Sequence, residues 1–424
     1  MATFSLILFI VLAVMATYQA AFVVWFCRVL ICSKPNLPDD ETVWPKVAIL
    51  MSLRGADPQL SETLRRMTNQ EYPQYFLRVI VDSRDDPSWP VVERAVNRSA
   101  GRIESGQIEM KALVERLPTC GLQCSAFVQA ASQLPADVEV VITVDGDLMP
   151  HSHWLKELVA PLLDPRVGAT FGNRWFMPRQ ISWGSLVRYL WNVGAVVPMC
   201  VFGIPWGGCL AIRRSALDQT GLVEKWGRSI VHDALVKSLL GELGLKVRFV
   251  PSLMMAIRER CDLAFSFDFL KRQMMWTRLY HPHWWIIVFH AVVTTWLWLN
   301  SLGLAIYAVA WGDRSSAYLA GGGLGLYIVT MLTLVAMLEY SVNRTLLRRQ
   351  EEIGWMRWTT WLAMPCALTL TQFMHFCALM FANFARRVTW RGVTYELKSP
   401  WNILRVDDRP FEQAVDEDDT EASL

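Results

Sequence analysis

Three sets of carboxylates stand out, two of them where strand-length apolar runs give out. Asp82 ends a run in VIVDSRDDP, Asp145 and Asp147 follow VVITV in VITVDGDLMP, and Asp233 lies in SIVHDALVKSLL just before a helical pattern. An Asp-Gly-Asp turn offers two hard oxygen ligands, suited to a divalent cation that keeps several waters and also grips a diphosphate. Asp and Gly are ordinary turn residues too, so the pair alone leaves a metal site and a plain turn both open. A further carboxylate within reach of an incoming hydroxyl can take its proton.

Such carboxylates need strands to hold them. VAILMSL, LRVIVDS and VEVVITVD have strand length and β-branched content, and the helical patterns LSETLRRMTNQ, SAFVQAASQL and HWLKELVAPLL alternate with them. This alternation predicts an α/β domain over residues 33–283 with a doubly wound, mostly parallel sheet. Ligands bind such sheets at the carboxyl ends of the strands.

The rest of the 424-residue chain is more apolar than a soluble domain. Hydrophobic residues make up 53%, charged residues 19%, and there are 20 tryptophans, against about 25% charge in ordinary domains. Lys plus Arg (41) against Asp plus Glu (39) gives +2, so no charge excess supports a nucleic-acid binder. Aromatic residues at 12% exclude disorder over most of the length.

The apolar excess is clustered. Phe4 to Phe26 is long enough to cross a bilayer core of roughly 30 Å. The uncharged start MATFS argues for an uncleaved anchor, with Arg28 and Lys34 on the cytoplasmic side. Three further segments are Trp284–Ala310, Tyr318–Glu339 and Trp358–Phe384. The Arg-rich NRTLLRRQEEIGWMRW before the last, and Arg386, Arg387 and Arg391 after it, both argue for the cytoplasm. Four full crossings would not allow that, so the last segment, with Pro365, Gln372 and His375, is a crossing, a re-entrant segment or an interfacial one. Gln372 and His375 are expected to pack between helices rather than to line a path. The expected organisation is an anchor over 1–32, a cytoplasmic catalytic domain over 33–283, membrane helices over 284–385 and a basic then acidic tail over 386–424. From about Val406 this tail is expected to lack structure. Of nine cysteines, Cys120 and Cys124 lack a second pair for zinc, and all read as packing thiols.

The combination of motifs is more specific than any one of them. SLRGADPQLSETLRRMTNQEYPQYFLRVIVDSRDDP resembles the opening of ceramide glucosyltransferases, where Lys-Gly-Val-Asp-Pro-Asn-Leu leads through Asp-Tyr-Pro to a strand and Asp-Asp-Pro. GGCLAIRRSALDQTGL is similar to that family's Gly-Met-Ser-Cys-x-Met-Arg-Lys-x-Val-Leu-Asp-Gln-Ala-Gly. Asp233 stands where the family has a Glu-Asp pair, and KRQMMWTRLY where it has Arg-x-x-Arg-Trp. The resemblance, to glycosyltransferases of the family 2 and family 21 type, covers about Val47 to His283.

It implies a glycosyltransferase-A-type fold and a metal-dependent, inverting hexosyl transfer from a nucleotide sugar to a lipid hydroxyl. Asp82 would help hold the uridine. Asp145 and Asp147 would bind magnesium or manganese against the diphosphate, Asp233 would be the general base, and Arg272 and Trp276 would close over the pyrophosphate. The chemistry agrees: a diphosphate leaving group needs its charge neutralised as the bond breaks. Two positions depart from the pattern. Met275 replaces the second Arg of the motif, with Arg278 the nearest substitute on the same helix, and His232 replaces the Glu before the base.

Other residues carry weaker signals. Arg54 and Gly55 are expected beside the nucleotide, since Gly lets backbone come close. His151 and His153 read as helix-start residues rather than metal ligands. Trp206, Gly207 and Gly208 read as a flexible loop near the acceptor. Ser182 to Trp206 is either an interfacial helix feeding a lipid toward Asp233 or a buried core helix. Trp175, Trp183, Trp191 and Trp206 are expected around the acceptor. Trp284, Trp285, Trp311, Trp355, Trp358 and Trp361 are expected in an interfacial belt. The favoured function is a multi-pass membrane glycosyltransferase acting on a UDP-glucose-like donor and a ceramide-like or other glycolipid acceptor, in sphingolipid or glycolipid biosynthesis. A processive polysaccharide synthase and an impaired nucleotide-sugar-binding protein are the alternatives.

Overall fold

A computed structural model of the chain describes residues 1–33, 37–38, 42–100, 105–353 and 356–409. Lys34, Trp355 and the acidic end of the tail from residue 410 lie outside the described residues.

Seven strands form the main sheet: β1 (Val47–Leu53), β2 (Tyr75–Val81), β3 (Ser105–Ala112), β4 (Val140–Val144), β5 (Val167–Phe176), β6 (Cys209–Arg213) and β7 (Lys246–Ile257). Their order is β3-β2-β1-β4-β6-β5-β7, and only β6 runs against its neighbours. The expected mostly parallel, doubly wound α/β sheet is therefore present. Every residue of β2 and β4 is buried, which is why these strands read as unbroken apolar runs rather than alternating ones. Because β1, β2, β4, β5 and β7 share a direction, the residues following them gather along one edge. The reversed β6 begins at that same edge.

The helices in chain order are α1 (Ala2–Cys32), α2 (Leu60–Met67), α3 (Trp89–Ser99), α4 (Leu122–Ala131), α5 (Trp154–Val159), α6 (Trp183–Phe202) and α7 (Arg214–Gln219). They continue with α8 (Leu222–Trp226), α9 (Val236–Glu242), α10 (Leu263–Tyr280), α11 (Trp284–Ala310), α12 (Arg314–Leu347) and α13 (Trp358–Phe384). Among the described residues, α1, α6, α11, α12 and α13 are long and apolar enough to cross a membrane. α6 is the most enclosed of these, packed against β5, α10, α12 and α13 with Arg188, Tyr189 and Asn192 buried. Its exposed large side chains, Trp183 and Phe202, are at its two ends.

One carboxylate ties α12 to the sheet domain. Glu339 is buried and accepts from Trp175 Nε1 and Tyr189 Oη, both at 2.9 Å. Trp175 is thus a fully buried anchor and not, as its neighbourhood in sequence suggested, an acceptor-facing ring. Trp284 is corrected likewise: it is buried, with Nε1 donating to Asn383, whereas Trp285, Trp311 and Trp358 are exposed. Gln372 donates to Thr295, and His375 accepts from Trp191 Nε1, the packing roles expected for both.

Both ends of α13 lie on the side of the sheet domain. Just before it, Arg349 donates to Met254 O, and Arg258 to Glu352 O. At its far end Arg278 donates to the carbonyls of Asn383 and Ala385, each at 2.9 Å, and along its length it packs on α10 and α6.

From there the chain builds a structure that the sequence reading did not anticipate. Strands β8 (Arg387–Trp390), β9 (Val393–Ser399) and β10 (Asn402–Asp408) form a second, antiparallel sheet in the order β10-β9-β8. Residues 386–409 are therefore not a plain tail, and Val406 lies within a strand. Val388, Val393, Tyr395, Leu397 and Ile403 join the apolar cluster that contains Met275, Tyr280 and Trp226. The Tyr280 hydroxyl accepts from Ile230 N and donates to Pro400 O, both at 3.0 Å, so it couples this sheet to the loop leading to Asp233. Tyr280→Phe strands a buried N–H and a carbonyl, a loss of about 1–3 kcal/mol. The expected outcome is a lower melting temperature and faster hydrogen exchange over 387–408; unchanged exchange there would contradict the coupling.

Candidate active site

The edge where the parallel strands end borders a cavity of about 260 Å³, whose wall includes Arg54, Asp82, Asp145, Asp147, Asp233, Arg272 and Trp276. Every site residue expected from sequence thus meets at one place. Arg54 follows β1, Asp82 follows β2, Asp145 and Asp147 follow β4, and Arg272 and Trp276 share a face of α10 one turn apart.

At one end, Asp82 is clasped by two guanidinium groups, with Arg54 Nη1 at 3.1 Å and Arg116 Nη2 at 2.9 Å. Burial pushes the Asp82 carboxyl above its usual range, against the pull of Arg54 and Arg116. Asp408 of β10 meets the same two arginines at 3.2 and 2.8 Å. Gly55, at φ +83°, adopts the left-handed backbone that lets its N–H reach the buried Asp86 carboxylate at 2.9 Å.

In the middle, Asp147 is half-buried, with Oδ1 out of contact with solvent and lacking any hydrogen-bond partner. Its carboxyl is pushed well up by burial, then by the neighbouring charges of Asp145, Glu259 and Asp57. Asp145 accepts from Gln123 Nε2 at 3.2 Å. An orphaned, desolvated carboxylate among like charges is a group lacking a cation, so Asp145 and Asp147 fit a hard divalent ion. Among the described residues no cluster of three or more His, Cys, Asp or Glu forms an all-protein cage. Two carboxylates completed by substrate phosphates is a common way to hold magnesium.

At the other end stands Asp233, whose Oδ2 accepts from Gly207 N at 2.7 Å. Trp206-Gly207-Gly208 is a tight joint rather than a flexible loop. A Cβ on Gly207 would lie 2.3 Å from His232 Nε2 and 2.9 Å from Asp233 Oδ2, and one on Gly208 would lie 2.4 Å from Asp145 Oδ2. Only glycines let this backbone pass between the two carboxylates. His232 is buried against Phe127 and Trp226, its Nε2 3.3 Å from Gly207 O.

Several wall residues were not found from sequence. Arg174 at the end of β5 lies against the rings of Phe269, Phe176 and Trp206, at 5.0, 5.6 and 5.7 Å. Burial pushes its guanidinium pKa down, while Asp145, Asp147 and Asp233 pull it back. Arg188 of α6 pairs with Glu259 at 2.7 Å. Trp390, Arg391, Val393 and Tyr395 come from the C-terminal sheet. A charged residue inside an apolar strand, as in GNRWF, is the one sequence signal that would have flagged Arg174. His151 pairs with Glu157 at 3.0 Å and His153 faces Glu71, so neither borders the cavity.

Carboxylates at the ends of a doubly wound sheet thus share one cavity with several arginines, and five helices among the described residues are long and apolar enough to cross a membrane. The chain belongs to glycosyl transferase family 21, whose sequence model matches residues 8–403. A ceramide glucosyltransferase of Candida albicans is 33% identical over 60 residues, a segment spanning 14% of this chain and 11% of that relative. Among solved structures, a mannosyltransferase of Pyrobaculum calidifontis in complex with GDP-mannose and Mn²⁺ is similar at a TM-score of 0.48 and 14% identity. That match covers 90% of this chain and 99% of the other. Staphylococcus aureus TarS is similar at 0.34 and 11%, covering 85% of this chain and 60% of the other.

Removing the buried charge tests the metal fit. In Asp147→Asn the metal-free protein is expected to melt no lower than the parent, while the stabilisation by Mn²⁺ with UDP disappears. Retained Mn²⁺-dependent stabilisation would show that Asp147 is not a ligand.

Proposed function

We propose that this protein is a membrane-bound, inverting glycosyltransferase that moves a hexose from a UDP-glucose-like donor to a lipid hydroxyl. The observation that carries the reading is the Gly207 N–H to Asp233 bond, which aims one carboxylate into the same cavity as Asp145 and Asp147. Asp233 takes the proton of the acceptor hydroxyl, whose oxygen attacks the anomeric carbon as the bond to the diphosphate oxygen breaks. With the base opposite the leaving group, the anomeric centre inverts. Asp145 and Asp147 would hold magnesium or manganese, which supplies charge neutralisation at the diphosphate. Asp82 and Arg54 would border the nucleoside, and Arg272 and Trp276 the pyrophosphate.

A lipid acceptor, ceramide-like or another glycolipid precursor, is supported by the surroundings of the cavity. α10 forms one wall, and the apolar α6 and α13 pack on it. α1, α11 and α12 would cross the bilayer, while α13 returns to the sheet domain. The cytoplasm is the favoured side, because Arg28, Arg344, Arg348, Arg386 and Arg387 cluster at the helix ends nearest the sheet domain. This removes the conflict that four crossings would create with the arginines after α13.

Membranes containing the protein, given labelled UDP-glucose or UDP-galactose with Mn²⁺, should place label in a small glycolipid. Asp233→Asn should lower that rate by about 10²–10⁴-fold. Label in polymer would favour a processive synthase instead, and label in lipid unchanged by the substitution would remove Asp233 from its role.

A further inference from the structure

In the segment KRQMMWTRLY, which resembles an Arg-x-x-Arg-Trp motif, Met275 stands at the second arginine position. On α10, Arg272, Gln273 and Trp276 face the cavity. Met275 is turned into the apolar core, 3% exposed, in the cluster that also contains Val388, Val393 and Tyr395 of the C-terminal sheet. Arg278 is not the substitute, because its guanidinium is spent on the carbonyls that end α13.

A different arginine reaches the wall. β8 and β9 pair Trp390 with Val393, leaving Arg391 and Gly392 as a two-residue turn. Their φ values are +47° and +78°. Both positive values mark a type I′ hairpin, whose first position favours Asn, Asp or Gly. An arginine there carries a backbone cost that a surface turn has no reason to keep. Its side chain is not waving in solvent. Nη1 donates to Arg54 O at 2.6 Å, the guanidinium lies 5.7 Å from the Trp390 ring, and both residues line the cavity. Arg391 is also near Arg272: the latter is pushed down to about 10, first by burial and then, against Asp268, by repulsion from Arg391 and Arg174. Crowded cations in the wall of the cavity that also holds Asp145 and Asp147 call for a polyanion.

We infer that the β8–β9 hairpin is part of the donor site, and that Arg391 at its tip contacts the diphosphate of the nucleotide sugar. This rests on the glycosyltransferase reading and adds to it a donor contact from the far end of the chain. It also makes the C-terminal sheet a part of the binding site rather than an appendage.

The test uses the full chain in detergent or nanodiscs with Mn²⁺, titrated with UDP and with uridine, and in parallel with GDP and guanosine. R391M should weaken the diphosphate at least tenfold while changing the nucleoside less than twofold, and R391K should recover part of the loss. Unchanged diphosphate affinity in R391M overturns the inference. So does equal weakening of nucleoside and diphosphate, which would mean that the substitution merely unseats the hairpin. If the unsubstituted protein binds neither diphosphate, the glycosyltransferase reading itself fails, and the inference with it.

Discussion

The guanidinium of Arg54 is the joint on which the architecture of the site depends. It follows the first strand of the sheet, its side chain is 8% exposed, and it pairs with Asp82 after the second strand and with Asp408 in the last one. Its own carbonyl receives Arg391. Arg54 pairs with carboxylates from two other segments, and removing either would leave this buried guanidinium only partly matched, so the three segments are held as a unit. Residues 354 positions apart are thus joined across one side chain at the wall of the cavity.

That joint sits in a field of alternating charge. Asp82, Asp145 and Asp147 stand at strand ends and Asp233 in the loop before α9, and Arg54, Arg174, Arg272 and Arg391 line the same cavity. Within the row the balance is uneven. Asp82 is matched by Arg54 and Arg116, whereas Asp147 has an unpartnered oxygen and like charges around it. A nucleotide diphosphate with a divalent ion would bring charge of both signs, the cation to Asp147 and the anion to the arginines. The same logic explains the glycine pair before β6, since any side chain there would push Asp145 and Asp233 apart.

Much of this was legible in the sequence, for physical reasons. Strand ends announce themselves because a fully buried parallel strand must be apolar throughout and stops at its first carboxylate, which located Asp82, Asp145 and Asp147. The helix bounds of α11 and α13 follow from hydrophobic length alone. What was not legible depends on distant pairing. The C-terminal sheet consists of short strands with mixed polarity, and its buried face, Val388, Val393, Tyr395 and Leu397, makes sense only against α10 and α4. Arg391 reads as one more basic residue after a membrane segment, the very feature used to orient the chain. Met275 reads as a lost ligand, although its position on α10 turns it toward the core. The fate of α13 likewise depended on contacts at both of its ends.

The central claim is that one enclosed site, completed by the C-terminal hairpin, holds a nucleotide diphosphate between the strand-end carboxylates and the arginines. A cryo-electron microscopy structure of the full chain in nanodiscs with UDP and Mn²⁺ tests it most directly. The account predicts density for the ion at Asp145 and Asp147, with the diphosphate extending from it to Arg272 and Arg391 and with Arg54 still joined to Asp408. Nucleotide bound elsewhere, or bound here with the hairpin swung away and Arg391 in solvent, would contradict it.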